Sequence, residues 1–421
     1  MSLARNILAL NLALVLVSCR GYLTTTTAVA NTATAVLSPT WATLATATVA
    51  PTYMAGCTMI SSATAPTEPS LYPVVNDRDR TLGPANAAMT IIEYGDFQCQ
   101  YCAQLAPILA QLIKDYPEDL RLVYRHFPLL NIHDKAFLAA QAAEAAGLQG
   151  RFWEMHDFLF ARQVEWVVLP VDKYQDWLVS QAAGLGLEPK QFASDLVSQE
   201  NATFAEQAWK DGLQLSLEST PALVINGEYQ HTLVSYSSLA TAIKLFKLRE
   251  RQFMGCPPVV IDPLKQYTAR LHLAKGDIVI RLFPEYAPLA VNSFVFLARQ
   301  GWFDGITFHS VIPSIGVQTG DPSGTGLGGP GYAFVNETTP GLSFDKPGLV
   351  GMANAGRDSN GSQFFITLAP KPELSSSRLR TLFGEVISGM DVVASLTPRN
   401  SLQDPNLPPG DVIMSVTIEE R

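Results

Sequence analysis

Apolar and polar positions divide the chain into distinct stretches. A largely apolar run, Ile7 to Val17, follows one charged residue, Arg5. Gly21 to Thr67 then holds no charge, is rich in Thr, Ala, Val and Pro, and keeps neither a helical nor a strand period, so it reads as a tether. Met89 to Phe97 is apolar and β-branched, the pattern of a buried strand. Ala103 to Tyr116 puts Leu105, Ile108, Leu109, Leu112 and Ile113 at helical spacing. Arg121 to Phe127 reads as a second strand. The segments 135–147, 152–162, 174–184, 189–199 and 204–215 read as helices. Pro221 to Gly227 is a strand ending in an Asn-Gly turn, and 237–251 is a closing helix. The order is β-α-β, a helical block, then β-β-α.

Pro257, Pro258 and Pro263 mark a linker, after which the period changes. Tyr267 to Ala274 and Ile278 to Phe283 are strands around a turn at Lys275-Gly276-Asp277, and 288–299 is a helix. Glycine-rich short strands follow, ending in Val412 to Ile418. This is an all-β plan with few helices, expected to close into a barrel. The expected divisions are a leader at 1–18, a tether at 19–69, an α/β domain at 70–252, a linker at 253–265 and the β domain at 266–421.

The 421 residues suffice for two or three domains. The formal net charge of −9, with no basic run, argues against nucleic acid as a partner. Ile7–Val17 is shorter than the roughly 20 residues of a membrane-spanning helix and fits a signal-peptide core. Its end, Leu16-Val17-Ser18-Cys19, resembles a bacterial lipobox, which implies lipid attachment at Cys19 and a location on the outer side of the cell membrane.

Cys99-Gln100-Tyr101-Cys102 lies where the first strand gives way to the first helix. Two thiols at this spacing can close a small ring, and unpaired N–H groups at a helix start favour the first thiolate. Redox exchange is the leading reading. A structural disulfide and a zinc half-site are the alternatives, although zinc needs four ligands and no second such pair exists. Five cysteines also leave Cys57 and Cys256, on either side of the α/β domain; in an oxidising compartment they are expected to bond to each other, the alternative being two independent thiols.

Glu93-Tyr94-Gly95-Asp96-Phe97-Gln98-Cys99, with Tyr124 to Pro128, Phe152 to Asp157 and Ser219-Thr220-Pro221-Ala222, resembles the thioredoxin superfamily, in particular exported Dsb-type thiol–disulfide oxidoreductases with a helical insertion. The resemblance implies that Cys99 is the exposed nucleophile and Cys102 the buried resolving thiol. Pro221 would be a cis-proline beside them, with Thr220 pairing to an extended client. Glu93 would relay protons for Cys102, or be a buried carboxyl satisfied by a neighbour.

Residues 266–421 resemble the cyclophilins, peptidyl-prolyl cis/trans isomerases, through Ala287 to Phe294, Phe303 to His309, Gln318 to Asp321, Gly351 to Ala355, Asn360 to Phe365 and Leu382 to Gly384. The resemblance implies an apolar proline pocket at Phe308, Met352 and Phe365, hydrogen bonds to the client backbone from Gln318, Asn354 and Gln363, a groove wall at Ala353, and a structural His309. The chain departs from the family where it counts. Ser310 stands where the family has an arginine that stabilises the twisted amide, and Ile315 and Gly316 replace larger pocket residues. Leu374 is the rim residue and Arg380 replaces a histidine. A proline-binding groove with weak or no isomerase activity follows, with Arg380 or Arg357 as candidate substitutes for the lost guanidinium.

Together these readings describe a lipid-anchored extracytoplasmic folding helper that exchanges disulfides and binds proline segments of exported, unfolded clients. It needs no cofactor and implies a membrane redox partner. The rival is a non-catalytic holdase.

Overall fold

The computed structural model describes residues 53–60, 70–231, 234–376, 379–400 and 407–421. The proposed leader, Cys19 and most of the expected tether lie outside these residues.

The first domain is built on a five-stranded sheet in the order Arg80–Leu82, Leu120–His126, Met89–Gly95, Ala222–Ile225, Glu228–Tyr229. Only the Met89–Gly95 and Leu120–His126 pair is parallel, and the helix Gln100–Asp115 makes the crossover that such a pair requires. The turn between the last two strands is Asn226-Gly227, both at positive φ (47° and 87°), as a two-residue hairpin turn demands.

Between Leu120–His126 and Ala222–Ile225 the chain detours through a helical block, from Ala136–Leu148 to Gln199–Gln214. Ala136–Leu148 has Ala at most positions and is buried on nearly every side, because small side chains let helices approach from several directions. Trp166, Tyr174 and Phe192 fill the core of this block, and the Trp166 indole N–H donates to the Leu159 carbonyl at 2.8 Å. The block covers one face of the sheet over Cys99 and Cys102, while Ile92, Val123 and Val224 face the other core.

In the second domain the expected closed barrel does not form. Its sheet runs as a path of antiparallel neighbours from Arg399–Asn400 at one edge to Ile306–Thr307 at the other, curling into a half-barrel. Both edge strands are two residues long, too short to carry the ladder round to each other. Beyond Thr307 the chain leaves the sheet, with the Phe308 N–H donating to the Asp411 carbonyl at 3.0 Å. The helix Pro288–Arg299 plugs the concave side, with Phe294 against Phe303, Phe364 and Phe383.

Residues 53–60 fall within the stretch read as tether, yet Cys57–Met59 is a strand pairing with Tyr332–Phe334 of the second domain. Cys57 and Cys256 are joined by a disulfide across 199 residues of sequence. Among the described residues no helix is long and apolar enough to cross a membrane.

Candidate functional site

The thiol pair sits at the N-terminus of Gln100–Asp115, with Cys99 as the capping residue and no side chain closing the cap. The first-turn N–H groups therefore stay available to an anion. The Cys99 N–H donates to the Asp96 carbonyl at 3.0 Å, which folds the approach to the helix. Asp96 holds that turn together: its carboxylate accepts from the Gln98 N–H at 2.7 Å, the Leu129 N–H at 2.8 Å and the His133 ring at 2.7 Å. From the helical block, Gln163 donates to the carbonyls of Phe97 at 2.7 Å and Cys99 at 3.0 Å. Neither Asp96 nor Gln163 stood out in the sequence, because a buried amide or carboxylate that braces a loop carries no local signature.

Both thiols are free. Cys99, expected to be exposed, is instead buried at 5% exposure, where the helical block packs over it, and donates to the Thr220 carbonyl at 3.3 Å. The hydrogen bond from Cys102, against the opposing effect of burial and with help from the N–H groups of Cys102 and Tyr101, lowers the Cys99 pKa from 9.0 to about 6. Cys102 is fully buried, and that burial, followed by its bond to Cys99 and the charge of Glu93, pushes its thiol well above the ordinary value. The two sulfurs are thus electronically unequal: one is a thiolate near neutral pH, the other a proton-holding thiol. The Thr220–Pro221 bond is cis. Glu93 is 1% exposed, and burial, then the charge of Cys99, raise its carboxyl from 4.5 to about 8. Its Oε1 has no hydrogen-bond partner among the described residues, so no neighbour satisfies that oxygen.

The second site is a cavity of about 320 Å³ on the curled sheet. Ser310, Gln318 and Phe365 stand in register across three neighbouring strands, and Gly351 continues the row. A Cβ at Gly351 would lie 2.6 Å from the rings of both Phe344 and Phe365, so only glycine lets Phe365 lie flat as the floor. Ala353, Asn354, Leu374 and Arg380 complete the walls, with Ile315 and Gly316 beside them.

Other expected groove residues stand behind the surface. Phe308 and Met352 are buried in the domain core. Gln363 acts from behind, its side-chain oxygen accepting from Gln318 at 2.8 Å and its amide donating to the carbonyls of Gly326 and Gly328 at 3.0 and 2.8 Å. His309 is 1% exposed and burial lowers its pKa, as befits a packed, neutral ring. Of the two candidate arginines, Arg380 lines the groove and donates to Asn354 Oδ1 and the Leu379 carbonyl, whereas the Arg357 side chain is 79% exposed. Lys371 and Glu373 also line the cavity and were not legible as groove residues in the sequence.

Comparison with known proteins agrees with both halves. Residues 75–245 match the family model described as thioredoxin, and residues 268–418 match that of cyclophilin type peptidyl-prolyl cis-trans isomerase. Peptidyl-prolyl cis-trans isomerase A of Mycobacterium tuberculosis is 45% identical over 180 residues, covering 39% of this chain and 98% of that protein. A Na(+)/H(+) antiporter, NhaA 1 of Salinispora arenicola, is 41% identical over 175 residues, covering 41% of this chain and 25% of the antiporter. A solved Cryptosporidium parvum cyclophilin type isomerase aligns with TM-score 0.34 and 30% identity, over 37% of this chain and 99% of that one. With an unequal thiol pair at a helix start in one domain and an aromatic-floored groove on a curled sheet in the other, this chain belongs to the cyclophilin-type peptidyl-prolyl cis-trans isomerases, and it carries a thioredoxin-like domain ahead of the isomerase domain.

Proposed function

We propose that the chain is an extracytoplasmic folding helper that exchanges disulfides in exported proteins through Cys99 and Cys102 and holds proline-containing segments of the same clients in the Phe365 groove. The observation that carries this reading is the inequality of the two thiols. The Cys99 thiolate attacks a client S–S bond, giving a mixed disulfide and releasing one client thiolate. Cys102 then attacks Cys99, closing the Cys99–Cys102 bond and releasing the second client thiol, so the client is reduced and the pair oxidised; the reverse sequence oxidises a client. The direction depends on the redox partner, for which a membrane protein is the natural source. The apolar run Ile7–Val17, followed by Ser18-Cys19, supports a lipid anchor on the outer side of the cell membrane.

In the second domain the chemistry is rotation about an X-Pro bond, with a barrier of about 20 kcal/mol. The groove offers an apolar floor and backbone partners, but Ser310 presents no charged donor to the twisted amide. That observation favours binding over turnover at this site.

The test is a Cys102→Ala chain expressed in intact cell envelopes. Clients held through Cys99 as mixed disulfides, absent from a Cys99→Ser, Cys102→Ala control, support the reading. If no client is trapped and the wild-type chain neither reduces insulin nor refolds a reduced substrate, the holdase stands instead.

A further inference from the structure

The proline groove holds a cation that no acid of its own surroundings answers. Arg380 lines the groove and also a second cavity of about 390 Å³, walled by Phe344, Pro372, Ser375 and Leu382, so it stands where the two meet. Its Nη1 donates to Asn354 Oδ1 and to the Leu379 carbonyl, which fixes the head group on neutral acceptors. Nε and Nη2 have no partner among the described residues, and neither is sealed inside the protein.

The guanidinium is half-buried, and charges taken out of water are normally paired. Burial lowers the Arg380 pKa with no neighbouring charge to counter it. Glu337 shares the second cavity, but its two oxygens accept from the Leu289 and Ala290 N–H groups at 2.9 Å each. Glu373, on the groove, lies 3.9 Å from the Lys371 ammonium. The groove thus carries two cations and one carboxylate, a local excess of positive charge in a chain of net charge −9.

Register sets the reach. Gly351 opposes Phe365 on one side and Leu382 on the other. Two strand spacings, about 10 Å, therefore separate the aromatic floor from the strand that Arg380 leads into. An extended client advances about 3.3 Å per residue. A carboxylate one or two residues from a proline seated on Phe365 comes within reach of the guanidinium. Ser310 lies on the other side of Phe365, beyond Gln318, so that wall is neutral while this one is cationic.

We propose that Arg380 makes the groove selective for proline segments bearing a carboxylate one or two residues from the proline. Nε and Nη2 form the planar pair of donors that matches the two oxygens of a carboxylate. That carboxylate is an acidic side chain or the free end of a chain. The inference rests on the proline-binding reading above and names the client class for that site.

The experiment titrates labelled peptides with the full chain and reads fluorescence anisotropy. The peptides are amidated and identical except beside one central proline, where they carry Glu, Gln or Lys. One more Gln peptide ends in a free carboxylate just after the proline. The Glu peptides should bind about tenfold more tightly than the Gln peptides, the usual weight of a charge-assisted pair, with the Lys peptides weakest. Whichever of the Glu and free-ended peptides gains more over amidated Gln names the source of the carboxylate. Arg380→Gln should erase the gain, and Arg380→Lys, which keeps the charge but loses the fork, should keep only part of it. Should Arg380→Gln fail to fold, a salt series on the wild type decides: the gain must shrink as salt screens the pair, and a gain that salt leaves unchanged overturns the proposal. Equal binding of all the peptides, or a gain that survives Arg380→Gln, overturns the selectivity and leaves proline binding intact. A wild-type chain that binds none of them overturns both.

Discussion

The Cys99 sulfur lies 3.3 Å from the Thr220 carbonyl, joining the start of one helix to the loop that leads into the strand Ala222–Ile225. The nucleophile and the backbone beside the cis-proline are thereby held together, both nearly buried in the reduced chain.

Alkylation of the reduced chain should show one fast thiol, Cys99, whose rate rises through a midpoint near pH 6, in line with its lowered pKa. Cys102 should stay unreactive well above that pH. The sign for stability follows: a thiol lowered from 9.0 to about 6 on folding stabilises the reduced form fully above pH 9, and the gain fades as pH falls through 6. A Cys99→Ser chain should lose that slope in denaturation measured between pH 5 and 9.

Glu93 works in the opposite direction. Its carboxyl is raised from 4.5 to about 8, so the folded chain prefers it protonated; that stability is complete below pH 4.5 and is lost as pH rises through 8. Glu93→Gln should remove the fall in stability that this group causes between pH 4.5 and about 8. It should also slow resolution of the mixed disulfide by about 10²-fold, read by quenching and non-reducing gels, because the Cys102 proton loses its acceptor.

Ser310 pairs with Gln318 at the wall of the groove. Ser310→Arg should raise isomerisation of a proline test peptide by about tenfold or more, since one preorganised donor is commonly worth a few kcal/mol of barrier. No gain would show that Ser310 is not what limits the domain.

The Cys57–Cys256 bridge ties a strand at 57–59 to the start of the second domain. Non-reducing peptide mapping should recover the two cysteines in one linked fragment. Cys57→Ala with Cys256→Ala should cost about 2–5 kcal/mol in denaturant unfolding, the usual effect of losing a native disulfide.

Much of this was legible in the chain. A continuous apolar, β-branched run located Met89–Gly95, helical spacing located Gln100–Asp115, and the Asn-Gly turn located the hairpin at Asn226-Gly227, because each is decided by local patterning. The same patterning could not tell a closed barrel from a half-barrel: closure depends on whether Arg399–Asn400 and Ile306–Thr307 are long enough to meet, and strand alternation looks the same either way. Helix ends were also misjudged. The helix read from Phe204 begins at Gln199, where the Ser198 hydroxyl accepts from the Asn201 N–H as its cap. Cys57 was visible as a leftover thiol, but nothing local marked Cys57–Met59 as a strand, since its partner Tyr332–Phe334 is far away in sequence.

The amino-acid order alone pointed to the two domains and to the thiol pair at a helix start, since each shows in residues close together in the chain. Tertiary structure decided how far the two sulfurs differ, because the hydrogen bond from Cys102 to Cys99 and the complete burial of Cys102 exist only in the packed domain. It decided too that Arg380, and not Arg357, faces the groove, and that Tyr124 stands beside Glu93. These are matters of register and burial, and both are fixed only when remote segments pack together.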